Sequence, residues 1–265
     1  MKKFMKSASM FLALAIVFSV LLIGCGKEKK TFTIGFDASF PPYGFRDDNG
    51  DYAGFDIDLA KEVAKRNGWE IKLQSIDWDT KDAELKSGTI DCIWNGFTIN
   101  GREKEYTWSD PYVDNSQVIV AKKDSGIKAL ADLAGKSVAV QTKSSAETVL
   151  TSKEDNKKML DLAATFKKLD VVPEYNTAFL NLESGAVDAI AMDIGVAEYQ
   201  IKKRGDKFII LEEQLAAEQY GIGFKKGNTE LRDKVQKTLD EMMKDGSYLK
   251  IAEKWGLEGS VIIAD

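Results

Sequence analysis

Residues 85–95, LKSGTIDCIWN, have a counterpart at residues 182–192, LESGAVDAIAM. Both stretches place Leu, Ser-Gly and Asp at the same positions and then become apolar, which is typical of a helix that stops at glycine before a buried strand. A strand-like run precedes each copy, at residues 32–36 and 137–140. The match predicts two similar units of alternating strands and helices, although such junctions also resemble one another in unrelated α/β proteins.

The rest of the chain continues this alternation of strand and helix patterns. Further strands are predicted over residues 71–76, 89–94 and 220–224, and helices over residues 55–67, 81–86, 229–244 and 249–255. If the C-terminal helices pack back on the first unit, the chain crosses between the units twice, near residues 112–117 and 218–221. Two crossing segments would act as a hinge that closes around a ligand.

We therefore expect a discontinuous first lobe and a continuous second lobe. The first lobe would comprise residues 31–113 and 222–265, and the second would comprise residues 117–217. A ligand cleft would lie between them.

The N-terminus has the pattern of an export signal. Residues 1–6 carry three lysines and no acid, and residues 8–23 are almost wholly apolar. This run is shorter than the ~20 residues of a comfortable membrane span. The following residues 22–25 (LIGC) resemble the lipobox of bacterial lipoproteins, in which cleavage precedes an acylated cysteine. We predict a signal peptide over 1–24, lipid on Cys25 and a tether over 25–30, with an ordinary signal peptide or N-terminal anchor as the alternative.

Composition excludes several classes of function. With 44% hydrophobic and 30% charged residues, the chain is typical of a folded protein, and its net charge of −5 is interspersed without a basic stripe for nucleic acid. The absence of histidine removes Ser-His-Asp and Cys-His catalysis and the commonest zinc ligands. The remaining cysteine, Cys92, is predicted to be a buried small hydrophobe without a disulfide.

The acidic stretch 47–51 is predicted to be a hairpin turn at Asn49-Gly50 rather than a calcium loop. Tyr52 and Asp58 stand where such a loop requires glycine and glutamate. We expect no metal and no cofactor.

Candidate binding residues follow from one rule, because ligands of open α/β sheets lie beyond the carboxyl ends of the strands. The polar and aromatic residues predicted at those ends, with one nearby arginine, are Asp37, Phe40, Trp78, Asn95, Gly96, Thr98, Arg102, Gln141, Ser145 and Asp193.

This set suits a small zwitterion. Arg102 can fork onto a carboxylate, and Asp193 can accept from an ammonium group. Phe40 and Trp78 can sandwich a side chain. Each residue also has a plainer interpretation: Arg102 as a surface charge, Asp193 as a helix cap, and the two aromatics as core.

Six motifs resemble the amino-acid-binding proteins of ABC importers, the solute-binding family 3 group. The motifs are residues 35–43 (GFDASFPPY), 54–59 (GFDIDL), 96–100 (GFTIN), 108–112 (WSDPY), 220–224 (YGIGF) and 245–247 (DGS). The resemblance covers essentially all of the mature chain. It implies a type II periplasmic-binding-protein fold, with two α/β lobes joined by two hinge strands that close around one amino acid.

The resemblance also implies roles for the candidate residues. Arg102 would clamp the ligand's α-carboxylate near Thr98 and Ser145, and Asp193 would hold the α-ammonium beside Thr98 and the Gly96 backbone.

The pocket for the ligand's side chain would be lined by Asp37, Phe40 and Trp78, with Gln141 on the second-lobe wall. An acid such as Asp37 favours a polar or basic amino acid, since a buried unpaired carboxylate is too costly beside an aliphatic one. The turn before Arg102 is one residue shorter than is common in the family, and the usually glycine-rich second-lobe loop reads QTKSS over 141–145.

The predicted function is an extracytoplasmic, membrane-anchored lipoprotein that captures an amino acid and delivers it to a permease, acting as a monomer without nucleic acid. The alternatives are an enzyme on the same scaffold, such as a cyclohexadienyl dehydratase, and a ligand-sensing module.

Overall fold

The computed structural model describes residues 30–153 and 156–263. The predicted signal peptide, Cys25 and all of the tether before Lys30 lie outside the described residues.

The described chain alternates short strands and helices. The strands are β1 Thr31–Phe36, β2 Ser39–Phe40, β3 Gly44–Arg46, β4 Tyr52–Ala53, β5 Glu70–Ser75, β6 Cys92–Ile93, β7 Thr107–Trp108, β8 Val113–Lys122, β9 Ser137–Gln141, β10 Lys168–Val172, β11 Ala189–Asp193, β12 Phe208–Ile210, β13 Ala216–Tyr220 and β14 Gly223–Phe224. The α-helices are α1 Phe55–Arg66, α2 Lys81–Ser87, α3 Ser145–Thr151, α4 Lys157–Ala163, α5 Tyr175–Ser184, α6 Ile194–Arg204, α7 Thr229–Lys244 and α8 Ser247–Trp255. Two short 3₁₀ turns, Trp78–Thr80 and Leu130–Leu133, complete the set.

These strands form two main sheets. The first sheet has the order β5-β1-β6-β14-β7, and the second has the order β10-β9-β11-β8-β12, with β13 also paired to β8. A small antiparallel sheet of β2, β3 and β4 lies apart from both. The predicted α/β class and two-lobed architecture are confirmed.

The two sheets repeat one arrangement. In each, a central strand pairs in parallel with two neighbours, β5-β1-β6 in the first sheet and β10-β9-β11 in the second. The N–H of Thr33 donates to the Asp91 carboxylate at 2.7 Å, and the Asp91 N–H donates back to the Thr33 carbonyl at 2.8 Å. Ser137 and Asp188 make the same pair of bonds, both at 2.8 Å. The predicted relationship between residues 85–95 and 182–192 is therefore confirmed, down to the role of the aspartate.

Two predicted strands are shorter than expected. Residues 89–91 form a turn in which the N–H groups of Thr89 and Ile90 donate to the Glu84 carbonyl, so that only Cys92–Ile93 joins the sheet. The predicted strand 220–224 is interrupted, since Tyr220 ends β13 in the second sheet and Gly223 begins β14 in the first. The chain thus passes between the sheets twice, before β8 and after β13.

The C-terminal helices pack against α1, on the layer of the first sheet. Arg66 of α1 forms an ion pair with Asp245 at 2.6 Å, and Lys254 of α8 reaches Asp58 at 2.6 Å. Cys92 is buried, as predicted. The stretch 47–51 is a turn, as predicted, in which the Asp47 side chain accepts from two backbone N–H groups.

Gly54, which caps the N-terminus of α1, should tolerate no side chain. Its φ of 138° is a conformation that favours glycine, and an added Cβ would stand 2.1 Å from the Tyr43 carbonyl oxygen. We expect Gly54→Ala to lower the free energy of unfolding by roughly 3 kcal/mol or more, measured by urea denaturation.

Gly101→Ala is the matched control. Gly101 also has a positive φ, 79°, but nothing lies within 4 Å of the added methyl group. Its cost should be limited to backbone strain of about 1 kcal/mol. Equal losses in the two variants would contradict the close approach at Gly54.

Candidate ligand-binding site

The ten candidate residues lie in strand-end loops and adjoining segments of both sheets. Seven are buried and three are partly exposed; the partly exposed ones are Trp78, Arg102 and Ser145. The sheets meet here, because Gln141 at the end of β9 donates from Nε2 to the Asp37 carboxylate after β1 at 2.8 Å.

Asp193, the last residue of β11, is a buried acid with several side-chain donors. Its Oδ1 accepts from Asn115 Nδ2 at 2.9 Å, Gln117 Nε2 at 2.7 Å and the Tyr220 hydroxyl at 2.6 Å. Burial and, next, the charge of Glu218 raise the pKa of Asp193 well above its usual value near 3.8. The carboxylate is thus hydrogen-bonded by neutral protein donors but lacks a positively charged partner among the described residues.

Glu218 was not among the predicted site residues. It lies on β13, where alternate residues are buried, and its Oε1 accepts from Thr98 Oγ1 at 2.9 Å, Asn115 Nδ2 at 2.7 Å and Gln117 Nε2 at 2.8 Å. Its Oε2 accepts from the Ser145 hydroxyl. The two amides therefore bridge the Glu218 and Asp193 carboxylates. Residues 215–220 read LAAEQY without apolar–polar alternation, so no sequence signal marks Glu218 as buried; its place follows from the pairing of β13 with β8.

Asp37 forms a second buried carboxylate site. It accepts from the Ser39 N–H at 2.8 Å as well as from Gln141, and its own N–H donates to Asn95 Oδ1 at 2.7 Å. Burial raises the pKa of Asp37 to about 6, against the lowering effect of these hydrogen bonds. Asn95 thus positions the acid from the neighbouring strand end.

Arg102 lies beside the same polar network. Its guanidinium donates to the Thr98 carbonyl at 3.2 Å and to the Lys143 carbonyl at 3.4 Å, and it stands 5.4 Å from the centre of the Phe97 ring. Thr98 therefore contacts Arg102 through its carbonyl and Glu218 through its hydroxyl. One residue thus contacts both the guanidinium and the Asp193–Glu218 pair of acids.

The two predicted aromatics occupy different apolar clusters. Phe40 packs against Tyr43 and Tyr175, with ring centres 5.8 and 6.0 Å away. Trp78 packs edge-on against Phe97 at 5.5 Å. Among the described ring contacts none joins Phe40 to Trp78, and since two rings on either side of a ligand do not touch each other, the sandwich remains a prediction.

Asp56 is a further buried acid that sequence reasoning missed. It lies in the first turn of α1 and accepts from the Gly96 N–H at 2.7 Å and the Tyr112 hydroxyl at 2.9 Å. Gly96 has a φ of 52°, and a Cβ there would stand 2.8 Å from the Phe40 ring. Asp56 thus fixes the loop that carries Thr98, and its burial raises its pKa to about 7.

Two cavities adjoin this network. One of about 240 Å³ is lined by Arg102 and Lys143, among others, and one of about 330 Å³ is lined by Ser145 and Glu218, among others. Within residues 30–153 and 156–263, no group of three or more histidine, cysteine or acidic residues is arranged to hold a metal ion. No described helix is both long and apolar enough to cross a membrane.

Two α/β lobes with a buried polar network between them define a ligand-capture protein of the bilobed binding-protein class. The chain matches the family model for bacterial extracellular solute-binding proteins, family 3, over residues 32–258. The protein therefore belongs to that family, and its role is to bind a substrate.

Individual relatives agree with this assignment. The L-cystine-binding protein TcyJ of Escherichia coli K12 is 33% identical over 232 residues, which cover 86% of this chain and 84% of TcyJ. An ancestral arginine-binding protein, solved with glutamine bound, is 41% identical with a TM-score of 0.77, over 87% of this chain and 99% of that one. An ancestral amino-acid-binding protein described as a precursor of cyclohexadienyl dehydratase is 34% identical with a TM-score of 0.76, over 85% and 95%.

The ligand-free protein should become less stable as the pH rises from about 5 to about 7. The carboxyls of Asp37, Asp56 and Asp193 have folded-state pKa values above the value of 3.8 expected on unfolding. The folded state therefore holds protons that the unfolded state releases, and ionisation costs at most about 1.4 kcal/mol per pH unit for each group. Urea denaturation at each pH measures the slope, which Asp56→Asn should reduce.

Asp132→Asn is the control for this slope. The pKa of the exposed Asp132 is lowered below its usual value of 3.8 by the N–H groups of Lys128 and Ala129, so its stabilising contribution is constant between pH 5 and 7 and is lost only at lower pH. Burial lowers the pKa of Lys81 to about 8, so the ionisation of Lys81 changes the stability only above the tested pH range. A stability that rises between pH 5 and 7 would contradict the proposed burial of the three carboxyls.

Proposed function

We propose that this protein captures a free amino acid with a polar or basic side chain between its lobes and delivers it to the permease of an ABC importer. The observation that carries the proposal is the position of Thr98, which contacts the Arg102 guanidinium through its carbonyl and Glu218, the neighbour of Asp193, through its hydroxyl. A molecule with a carboxylate and an ammonium on one carbon matches that polarity.

The two ends of the ligand would be recognised by opposite charges. Arg102 would bind the α-carboxylate, for which a planar guanidinium is better suited than an ammonium. Asp193 would bind the α-ammonium and gain the positive partner that it lacks among the described residues. A buried charge is costly alone, so each contact favours the closed, ligand-bound form.

The side chain of the ligand would reach Asp37. This carboxylate is buried and accepts from Gln141, which lies at the end of β9 in the second sheet. An aliphatic ligand side chain would give it no further donor and no positive charge. A guanidinium, ammonium or amide supplies one. This preference is consistent with the arginine, glutamine and cystine in the names of the similar proteins.

The lobes would be the units predicted from the sequence, residues 31–113 with 222–265 and residues 117–217. Strands β8 and β13, which lie antiparallel from Val113–Tyr220 to Gln117–Ala216, would then serve as the hinge. We propose that the protein acts as a monomer and as a binding protein rather than an enzyme, returning its ligand unchanged.

The ligand is tested by a thermal-shift screen over the twenty amino acids, because a ligand that binds only the folded state raises the melting temperature. Arg102→Ala should then weaken binding of the amino acid identified by roughly 2 to 5 kcal/mol in calorimetry, since the ligand's buried carboxylate loses its charged partner.

Arg232→Ala is the matched control, since Arg232 likewise donates to a backbone carbonyl, that of Trp108, but lies on α7 and pairs with Asp233. Wild-type affinity in Arg102→Ala would show that the carboxylate site is misplaced. Failure of every amino acid to raise the melting temperature would contradict the proposed function itself.

The protein would be held on the extracytoplasmic face of the membrane by lipid on Cys25. The support is the lipobox-like sequence at residues 22–25 after an apolar run. Cys25→Ser should move the protein from the membrane fraction to the soluble fraction on fractionation of expressing cells. Cys92→Ser, which removes a buried thiol outside the lipobox, should leave the distribution unchanged. Unchanged membrane retention of Cys25→Ser would argue for an uncleaved anchor.

A further inference from the structure

Glu218 is placed where three parts of the chain meet. Its carboxylate accepts from Thr98 in the loop after β6, from Asn115 and Gln117 on β8, and from Ser145 at the start of α3. These donors come from a loop that follows a strand of the first sheet, from a strand of the second sheet, and from a helix that packs on the second sheet. Glu218 is 5% exposed, so water does not compete for these bonds.

The bonds to Glu218 use up the hydrogens of the surrounding groups. The side-chain nitrogens of Asn115 and Gln117 each donate once to Glu218 and once to Asp193, which accounts for both hydrogens of each amide. The hydroxyls of Thr98 and Ser145 have one hydrogen each, and both donate it to Glu218. No donor among these four groups is left for a ligand.

What remains in these groups is capacity to accept. Each hydroxyl retains free lone pairs, and the amide oxygens of Asn115 and Gln117 are buried without a hydrogen-bond partner among the described residues. Together with the Asp193 carboxylate, these groups offer a ligand only acceptor oxygens. Such a set matches an ammonium group, which has three donors and no acceptor.

We propose that Glu218 is the positioning residue for the ammonium end of the site: it turns the hydroxyls of Thr98 and Ser145 and the amides of Asn115 and Gln117 so that all of them present oxygen to the ligand. This inference rests on the proposed amino-acid-binding function. Glu218 acts through these neighbours and need not touch the ligand, although it lines the 330 Å³ cavity beside Ser145.

A glutamine at this position would reverse part of the arrangement. Its amide would donate to at least one neighbour, most directly to the Ser145 hydroxyl that now donates to Oε2. That hydroxyl would then point its own hydrogen towards the site and repel an ammonium. The size of the side chain is conserved, so the change tests orientation rather than volume.

The test compares each amino acid with an analogue that lacks only the α-ammonium. The probes are L-arginine with 5-guanidinopentanoic acid and L-glutamine with glutaramic acid, titrated calorimetrically into wild type and Glu218→Gln. The wild type should prefer the amino acid, and Glu218→Gln should reduce that preference by about tenfold to a hundredfold, the effect of losing a hydrogen bond to a charged group.

A purely structural role would lower both affinities equally and leave the preference unchanged, which would overturn the inference. Glu213→Gln is the control for net charge, since Glu213 is exposed nearby. If Glu218→Gln does not fold, Ser145→Ala serves instead, because removing that hydroxyl should also reduce the preference for the amino acid. Unchanged preference in Ser145→Ala would equally contradict the proposal. If the thermal-shift screen identifies a different amino acid, that amino acid and its analogue without the α-ammonium replace these probes, and failure of every polar or basic amino acid to bind would instead contradict the ligand class proposed above.

Discussion

The site is governed by the cost of burying carboxylates without cations. Four buried acids, Asp37, Asp56, Asp193 and Glu218, are held by N–H and O–H donors, and the ion pairs of the described residues all involve other acids. Hydrogen bonds satisfy the oxygen atoms but leave negative charge in a region of low dielectric. A cationic group brought in by a ligand offsets that charge, which links binding to the approach of the lobes.

The proposed hinge and the buried acids of the candidate site share one pair of strands. Asn115 and Gln117 alternate along β8 with residues that face the other way, and Glu218 and Tyr220 do so along β13. If β8 and β13 form the hinge, a rotation between the lobes displaces the groups that donate to Asp193 directly. Recognition and motion would then depend on one pair of strands, without a long-range pathway to join them.

The sequence was sufficient to predict the fold and some of the buried polar residues of the candidate site. The strand-end rule located Asp37, Asn95 and Asp193 because parallel strands deliver their carboxyl ends to one edge. It missed Glu218 because β13 is antiparallel and contributes through the face of a crossing strand, where the rule does not apply.

Other features depend on tertiary contacts that no local pattern contains. Asp56 looks like a favourable charge in the first turn of a helix, and only the fold places it against the Gly96 N–H. Phe40 and Trp78 are both aromatic residues near strand ends, but the packing of Phe97 and Tyr175 separates them into two clusters. The repeat at residues 85–95 and 182–192 could be recognised from the sequence because each aspartate bonds to a strand of its own unit.

The order of the strands along the chain has a consequence for how the two sheets form as the chain emerges. In the first sheet as described, β7 pairs only with β14, which links it to β6 and lies about 115 residues later in the chain. The second sheet is complete once β13 has emerged, since all of its strands lie between Val113 and Tyr220. Strands β8 to β12 precede β14 in the chain, so a chain delivered from its N-terminus can pair them while β6 and β7 of the first sheet still lack β14. Until β14 arrives, the edge of β6 that it covers is open to mispairing.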